Sequence, residues 1–144
     1  MLDVASRRPE FYFTTEPDQS RVLPCAPESV AVARRLVAAV LARWELPHLT
    51  DRAVLIASEL VTNAVVHART NKASIRVIVT RIDTSRVQVA VTDLDPRLPA
   101  AGKAAGPTAT HGRGLALVAS LSECWGVVPL HWGKSVWAEV GSEP

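Results

Sequence analysis

The sequence predicts an α/β protein in which helices pack on a mostly antiparallel sheet. Three observations support this. Residues 51–68, DRAVLIASELVTNAVVHA, repeat their apolar positions at helical spacing. Residues 73–93 alternate in two runs about a tight turn, the pattern of a hairpin. Residues 125–140 close the sequence as a second hairpin. An apolar helix stripe and an apolar sheet face each need a partner, and packing one on the other satisfies both.

A chain of 144 residues is long enough to bury a core and is most simply one domain. Its formal net charge of +2 gives no sign of a nucleic-acid surface or a membrane patch. No apolar run approaches the roughly 20 residues of a spanning helix. Arg7 and Arg8 are followed by PEFYFTTEPDQ rather than an apolar stretch, so no signal peptide is expected. Cys25 and Cys124 lie far apart without metal-ligand spacing. They read as reduced thiols in a cytoplasmic protein, with no metal held by cysteine.

Residues 1–20 lack a clear period and read as a flexible N-terminal tail; residues 21–144 form the folded domain. Arg21–Cys25 is an edge strand, since Pro24 does not suit a central one. Pro27 and Glu28 suit the first turn of a helix, and Val30, Ala33, Val37, Val40, Leu41 and Trp44 follow at helical spacing. Leu46-Pro47-His48-Leu49 ends that helix.

The helix over 51–68 follows, with Thr50 as N-cap and Asp51 in the first turn, where the macrodipole favours a carboxylate. Ala53, Val54, Ala57, Val61, Ala64, Val65 and Ala68 form its expected core face. Glu59, Asn63 and His67 rise in one row at i, i+4 and i+8. Leu55, Ile56, Leu60 and Val66 frame that row, which fits a cleft wall better than a solvated face. A carboxylate and an amide one turn apart suit proton abstraction and oxygen ligation of a hard cation.

Ala73–Ile82 puts Ile75, Val77 and Val79 on one face, and Arg86–Asp93 does the same with Val87, Val89 and Val91. Asp93 is in phase with these valines, so it lies on the core face at the strand end and needs a partner there. An adenine amino group and a neighbouring backbone N–H both meet that need. Leu94–Thr110 is rich in Pro, Gly and Ala, and its length fits a mobile lid or a disordered linker. His111-Gly112-Arg113-Gly114-Leu115 then opens a helix over Leu115–Cys124. Two glycines at a helix start allow close backbone approach, and the free N–H groups with Arg113 favour an anion. In the closing hairpin Val136, Ala138 and Val140 alternate with Ser135, Trp137 and Glu139.

ELVTNAVVHA, VTDLDP and GRGLALV, in that order, resemble the N, G1 and G2 boxes of the GHKL (Bergerat-fold) ATPase and kinase superfamily. Order, spacing and size resemble its anti-sigma-factor serine/threonine protein kinases. The resemblance implies a two-layer α/β (α+β) sandwich, with three helices on one face of a mixed, mostly antiparallel sheet. It implies that Glu59 is the general base, that Asn63 ligates Mg²⁺ on the phosphates of ATP, and that Asp93 accepts from the adenine amino group. Gly112, Arg113, Gly114 and Leu115 would hold the phosphates, and Ser135 stands where the family often has a threonine near the adenine. Phosphoryl transfer needs mainly positioning and charge neutralisation, which such a set supplies.

The G1 box departs from the usual Asp-x-Gly-x-Gly, reading Asp93-Leu94-Asp95-Pro96-Arg97. Asp95 adds negative charge and loses glycine's conformational freedom, so weaker ATP binding is expected. The resemblance implies that the protein binds a sigma factor and phosphorylates an anti-sigma-factor antagonist, as a cytoplasmic homodimer that touches neither nucleic acid nor membrane. Two alternatives remain: a non-catalytic module sensing ATP or ADP, and a histidine-kinase catalytic domain. The second lacks a helical hairpin carrying a phospho-accepting histidine.

Overall fold

The computed structural model describes residues 19–67, 74–93, 109–131 and 133–141, with 109–113 by backbone alone. The elements run β1 (Gln19–Pro24), α1 (Ser29–Arg43), a 3-10 turn (Pro47–Leu49), α2 (Thr50–His67), β2 (Ser74–Asp83), β3 (Arg86–Asp93), α3 (Ala109–Leu121), β4 (Cys124–Leu130) and β5 (Gly133–Gly141). The strands form one five-stranded sheet in the order β1-β2-β3-β5-β4. Every neighbouring pair is antiparallel, so among the described strands the sheet is wholly antiparallel rather than mixed. The chain crosses from β3 through α3 to the far edge, and β5 returns to fill the gap.

Alternation sets the two faces of the sheet. Ile75, Val77, Val79, Val87, Val89, Val91, Val136, Ala138 and Val140 share one buried cluster with the helices. Across it stand Ala33, Val37, Val40 and Leu41 of α1 and Ala53, Ile56, Ala57, Leu60, Val61 and Ala64 of α2. α2 is the middle helix, touching α1, α3, β3 and β5. Flanked on both sides, it buries a wider stripe than the expected one. Ile56 and Leu60 are fully enclosed, while Val54 and Val65 are half-buried.

Thr50 is not a cap. The 3-10 turn runs directly into α2, and Thr50 already has helical angles. Arg52 Nη2 donates to the Gly141 carbonyl at 2.6 Å and fixes the start of α2 to the end of β5. Ser29 Oγ donates to the Pro24 carbonyl at 2.6 Å and fixes the start of α1 to the end of β1.

The opposite face of the sheet carries Thr80, Gln88, Ala90, Trp137 and Glu139, all buried. Gly126 of β4 pairs with Trp137, and a Cβ there would lie 2.9 Å from the indole. Glycine therefore makes the space that the ring fills. Residues 1–18, the turn at Arg69–Lys72 and residues 94–108 of the expected lid, Asp95 included, lie outside the described residues. Gln19 and Ser20, expected in the tail, belong to β1.

Candidate functional site

Glu59 and Asn63 stand one turn apart on α2, both half-buried. α3 packs beside α2, and Gly114 lies against Glu59. A Cβ at Gly114 would lie 3.1 Å from Glu59 Oε2. The carboxylate thus rests against bare backbone, and the missing side chain of Gly114 is what lets the two helices approach there. His67 continues the row one turn on, half-buried and engaged with a partner.

The glycines do not precede the helix, as the sequence suggested. α3 starts at Ala109, so Gly112 and Gly114 are its fourth and sixth residues. The first four N–H groups of a helix lack intrahelical acceptors, which here are those of Ala109, Thr110, His111 and Gly112. Gly114 lies beyond that turn and faces the carboxylate. Arg113 is described by backbone alone. Leu115, the seventh residue of α3, is buried in the main core, so its side chain is structural.

Asp93 ends β3 on the helix-facing side, as its phase required, and is buried. Its cross-strand partner is Lys134 of β5. Lys134 Nζ lies 3.2 Å from Asp93 Oδ1, with side-chain exposures of 5% and 7%. The sequence reading missed Lys134, although its phase with Val136, Ala138 and Val140 places it on this face. Ser135, which the resemblance places near the adenine, is the next residue along β5. It pairs with Thr92 and accepts the Thr92 hydroxyl at 3.2 Å, so it lies on the other face of the sheet, away from Asp93. A one-residue step along a strand reverses the face.

Cys25, in the turn between β1 and α1, completes this end of the sheet. Its thiol is buried and 3.8 Å from the carbonyl of Ala64 on α2. Burial raises the thiol's pKa above its ordinary value, and the negative charge of Asp93 pushes it the same way. Cys25 therefore stays a neutral thiol beside the ion pair. Both cysteines are free, as expected.

Glu59 and Asn63 stand beside α3, and Cys25 links α2 to the strand end that carries the Asp93–Lys134 pair. These suit a ligand with an anionic end and a polar, planar end. The chain matches the family described as the histidine kinase-like ATPase domain over residues 23–127, most of its length. The chain belongs to this family. Among solved structures, this ATPase domain is similar to the RsbU and RsbW domains of Rv1364c from Mycobacterium tuberculosis. The TM-score is 0.67 at 19% identity, covering 88% of this chain and 32% of that one. It thus spans about a third of the structure it matches, and the likeness establishes the fold alone. The histidine kinase domain of the blue-light activated histidine kinase from Erythrobacter litoralis EL346 gives a TM-score of 0.47 at 19% identity, covering 82% of this chain and 61% of that one. No curated protein matches. Among the described residues, no helix is long and apolar enough to cross a membrane.

Proposed function

We propose that this ATPase domain binds Mg²⁺-ATP and transfers its γ-phosphoryl group to a serine or threonine of an anti-sigma-factor antagonist. The observation that carries the proposal is the Glu59 carboxylate lying against the Gly114 backbone of α3. Glu59 takes the proton of the attacking hydroxyl as its oxygen bonds to the γ-phosphorus and the bond to the ADP oxygen breaks. The donor set fits the nucleotide. The Asn63 amide oxygen is a hard ligand suited to Mg²⁺, which when bound neutralises phosphate charge. The opening N–H groups of α3, through Gly112, suit the phosphates. Asp93, buried at the strand end, suits an amino group of the base.

The regulatory reading follows from the resemblance of the three boxes and from the fold shared with the RsbW-containing structure. The protein binds a sigma factor, withholds it from transcription, and resets the antagonist by phosphorylation. A homodimer fits the same resemblance. The altered segment Asp93-Leu94-Asp95-Pro96-Arg97 favours a second reading, a module that senses ATP or ADP without transfer.

The test is transfer of radiolabel from γ-labelled ATP to the antagonist that co-purifies with the protein. Acid-stable label on a hydroxyl is the expected result. Acid-labile label would identify a histidine-directed enzyme, and ATP binding without transfer would support the sensing module.

A further inference from the structure

The sheet face opposite the helices is buried, although no described element lies over it. Thr80, Gln88, Trp137 and Glu139 stand there, each at most 1% exposed. All three helices pack on the other face, where Leu115 and Val118 of α3 join the cluster formed by α1 and α2. The Gln88 amide and the Thr80 hydroxyl are on cross-strand partners, and both are buried without a hydrogen-bond partner among the described residues. Buried polar groups are normally met by protein or ordered water. The cover must therefore be apolar enough for an indole and polar enough for an amide. The burial is found in a single chain, so a second copy is not needed to supply it.

Position and composition select the occupant. The chain enters β1 at Gln19, which pairs with Val79, the neighbour of Thr80. On β1 and β2 this face is exposed only toward the far end, at Val22, Ser74 and Arg76. From β2 to β5 is two strand spacings, about 10 Å. Residues 1–18 can span about 60 Å when extended. They hold both phenylalanines and the only tyrosine of the chain, at Phe11, Tyr12 and Phe13. Arg7 and Arg8 complement the Glu139 carboxylate in charge. The other stretches suit the face less. Residues 94–108 connect β3 to α3, residues 68–73 connect α2 to the exposed end of β2, and residues 142–144 are too few. We propose that residues 1–18 dock on the outer face of the sheet, with Phe11 and Phe13 over Trp137 and the segment's backbone meeting Gln88 and Thr80. Two residues apart, the phenylalanines share one side of an extended run. The segment then forms a third layer, and the sheet is covered on both faces.

The experiment places photo-reactive benzoylphenylalanine at Phe13 of the full chain and maps the crosslinks by mass spectrometry. Crosslinks within one chain to outer-face positions such as Ala90 or Trp137 are expected. Crosslinks to helix-facing residues, crosslinks between two chains, or none to the outer face overturn the proposal. A second readout is fluorine NMR of the chain labelled with fluorotryptophan, with the Trp137 signal assigned by Trp137→Phe. In the full chain that signal should show no shift between H₂O and D₂O. In Phe11→Ala with Phe13→Ala the shift should appear for Trp137, while the signal of Trp44, packed on the helix side, stays as it was. An unchanged Trp137 signal in the folded double variant contradicts the docking. If the double variant unfolds and all four tryptophan signals collapse together, the crosslink map of the full chain decides.

Discussion

The two ends of the site are built differently. At one end, Glu59 and Asn63 sit half-buried on a helix, and the neighbouring helix approaches through a glycine. At the other end, Asp93 and Lys134 are almost fully enclosed and set by strand register. A group that takes up a proton must meet a mobile hydroxyl and release the proton to water. A group that recognises a rigid base gains by being fixed and dry, where each hydrogen bond counts for more. On the proposed function, this contrast is one between a chemical end and a recognition end, and substitutions should divide along it.

The largest effect is expected at the chemical end. Glu59→Gln keeps the shape and removes the base, so transfer to the antagonist should fall by about 10²–10⁴-fold. ATP affinity should change little, because the base acts on the incoming hydroxyl. Asn63→Ala should instead weaken ATP binding in Mg²⁺ and leave it unchanged in chelator, along with a loss of transfer. Paired titrations and a transfer assay would show whether the two ends are distinct.

The recognition end should respond in stability. Asp93→Ala removes the carboxylate beside the buried Lys134 ammonium, with an expected loss of about 3–5 kcal/mol in urea unfolding. Adding Lys134→Met to that variant should recover much of the loss. Asp93→Asn, gentler on the fold, should lower ATP affinity by about 1–3 kcal/mol and reduce discrimination against GTP. Unchanged ATP-to-GTP preference in Asp93→Asn would make the aspartate structural.

Gly114→Ala probes the contact between the chemical end and α3. No glycine among the described residues has positive φ, so alanine suits the backbone and should gain up to about 1 kcal/mol of helix stability. Its Cβ would press on Glu59 Oε2 and displace the carboxylate. The expected outcome is a protein at least as stable as wild type with reduced transfer, read by thermal melts beside the transfer assay.

Much of this was legible in the sequence. The central helix and β3 came from period alone, because each carries an uninterrupted pattern of apolar residues. Asp93 followed from its phase with Val87, Val89 and Val91. The failures were local. Thr50 has cap chemistry, but the 3-10 turn before it continues into the helix. Gly112 and Gly114 looked like the lead-in to a helix starting at Leu115, since glycine disfavours helix interiors. Ala109 and Thr110 begin the helix upstream, and the packing against Glu59 requires a small residue. Ser135 entered by analogy and Lys134 was not singled out, though counting two residues back from Val136 places the lysine beside Asp93. The packing of Cys25 against Ala64 joins residues far apart in sequence, which no local pattern encodes.

The smallest effect is expected far from both ends, in the β2–β3 turn. Burial alone would raise the Asp83 carboxyl, but the Ser85 backbone N–H at 2.8 Å and the Arg86 guanidinium at 3.1 Å together hold it below its ordinary value. A carboxylate lowered in the folded state contributes stability above its unfolded pKa, and that contribution fades as pH falls through the folded value. Asp83→Asn should therefore cost less than about 1 kcal/mol at pH 7, as for exposed pairs, and approach nothing in acid. Thermal melts from pH 7 to 3 would show it, with ATP affinity at pH 7 unchanged.

The central claim is that one nucleotide spans both ends. Calorimetric titration of the full chain with Mg²⁺-ATP tests it most directly. Saturable heat from ATP, weaker than in relatives with an intact glycine-rich G1 box and strengthened by Asp95→Gly with Arg97→Gly, is the predicted result. No heat and no thermal protection from either ATP or ADP at millimolar concentration would contradict the account.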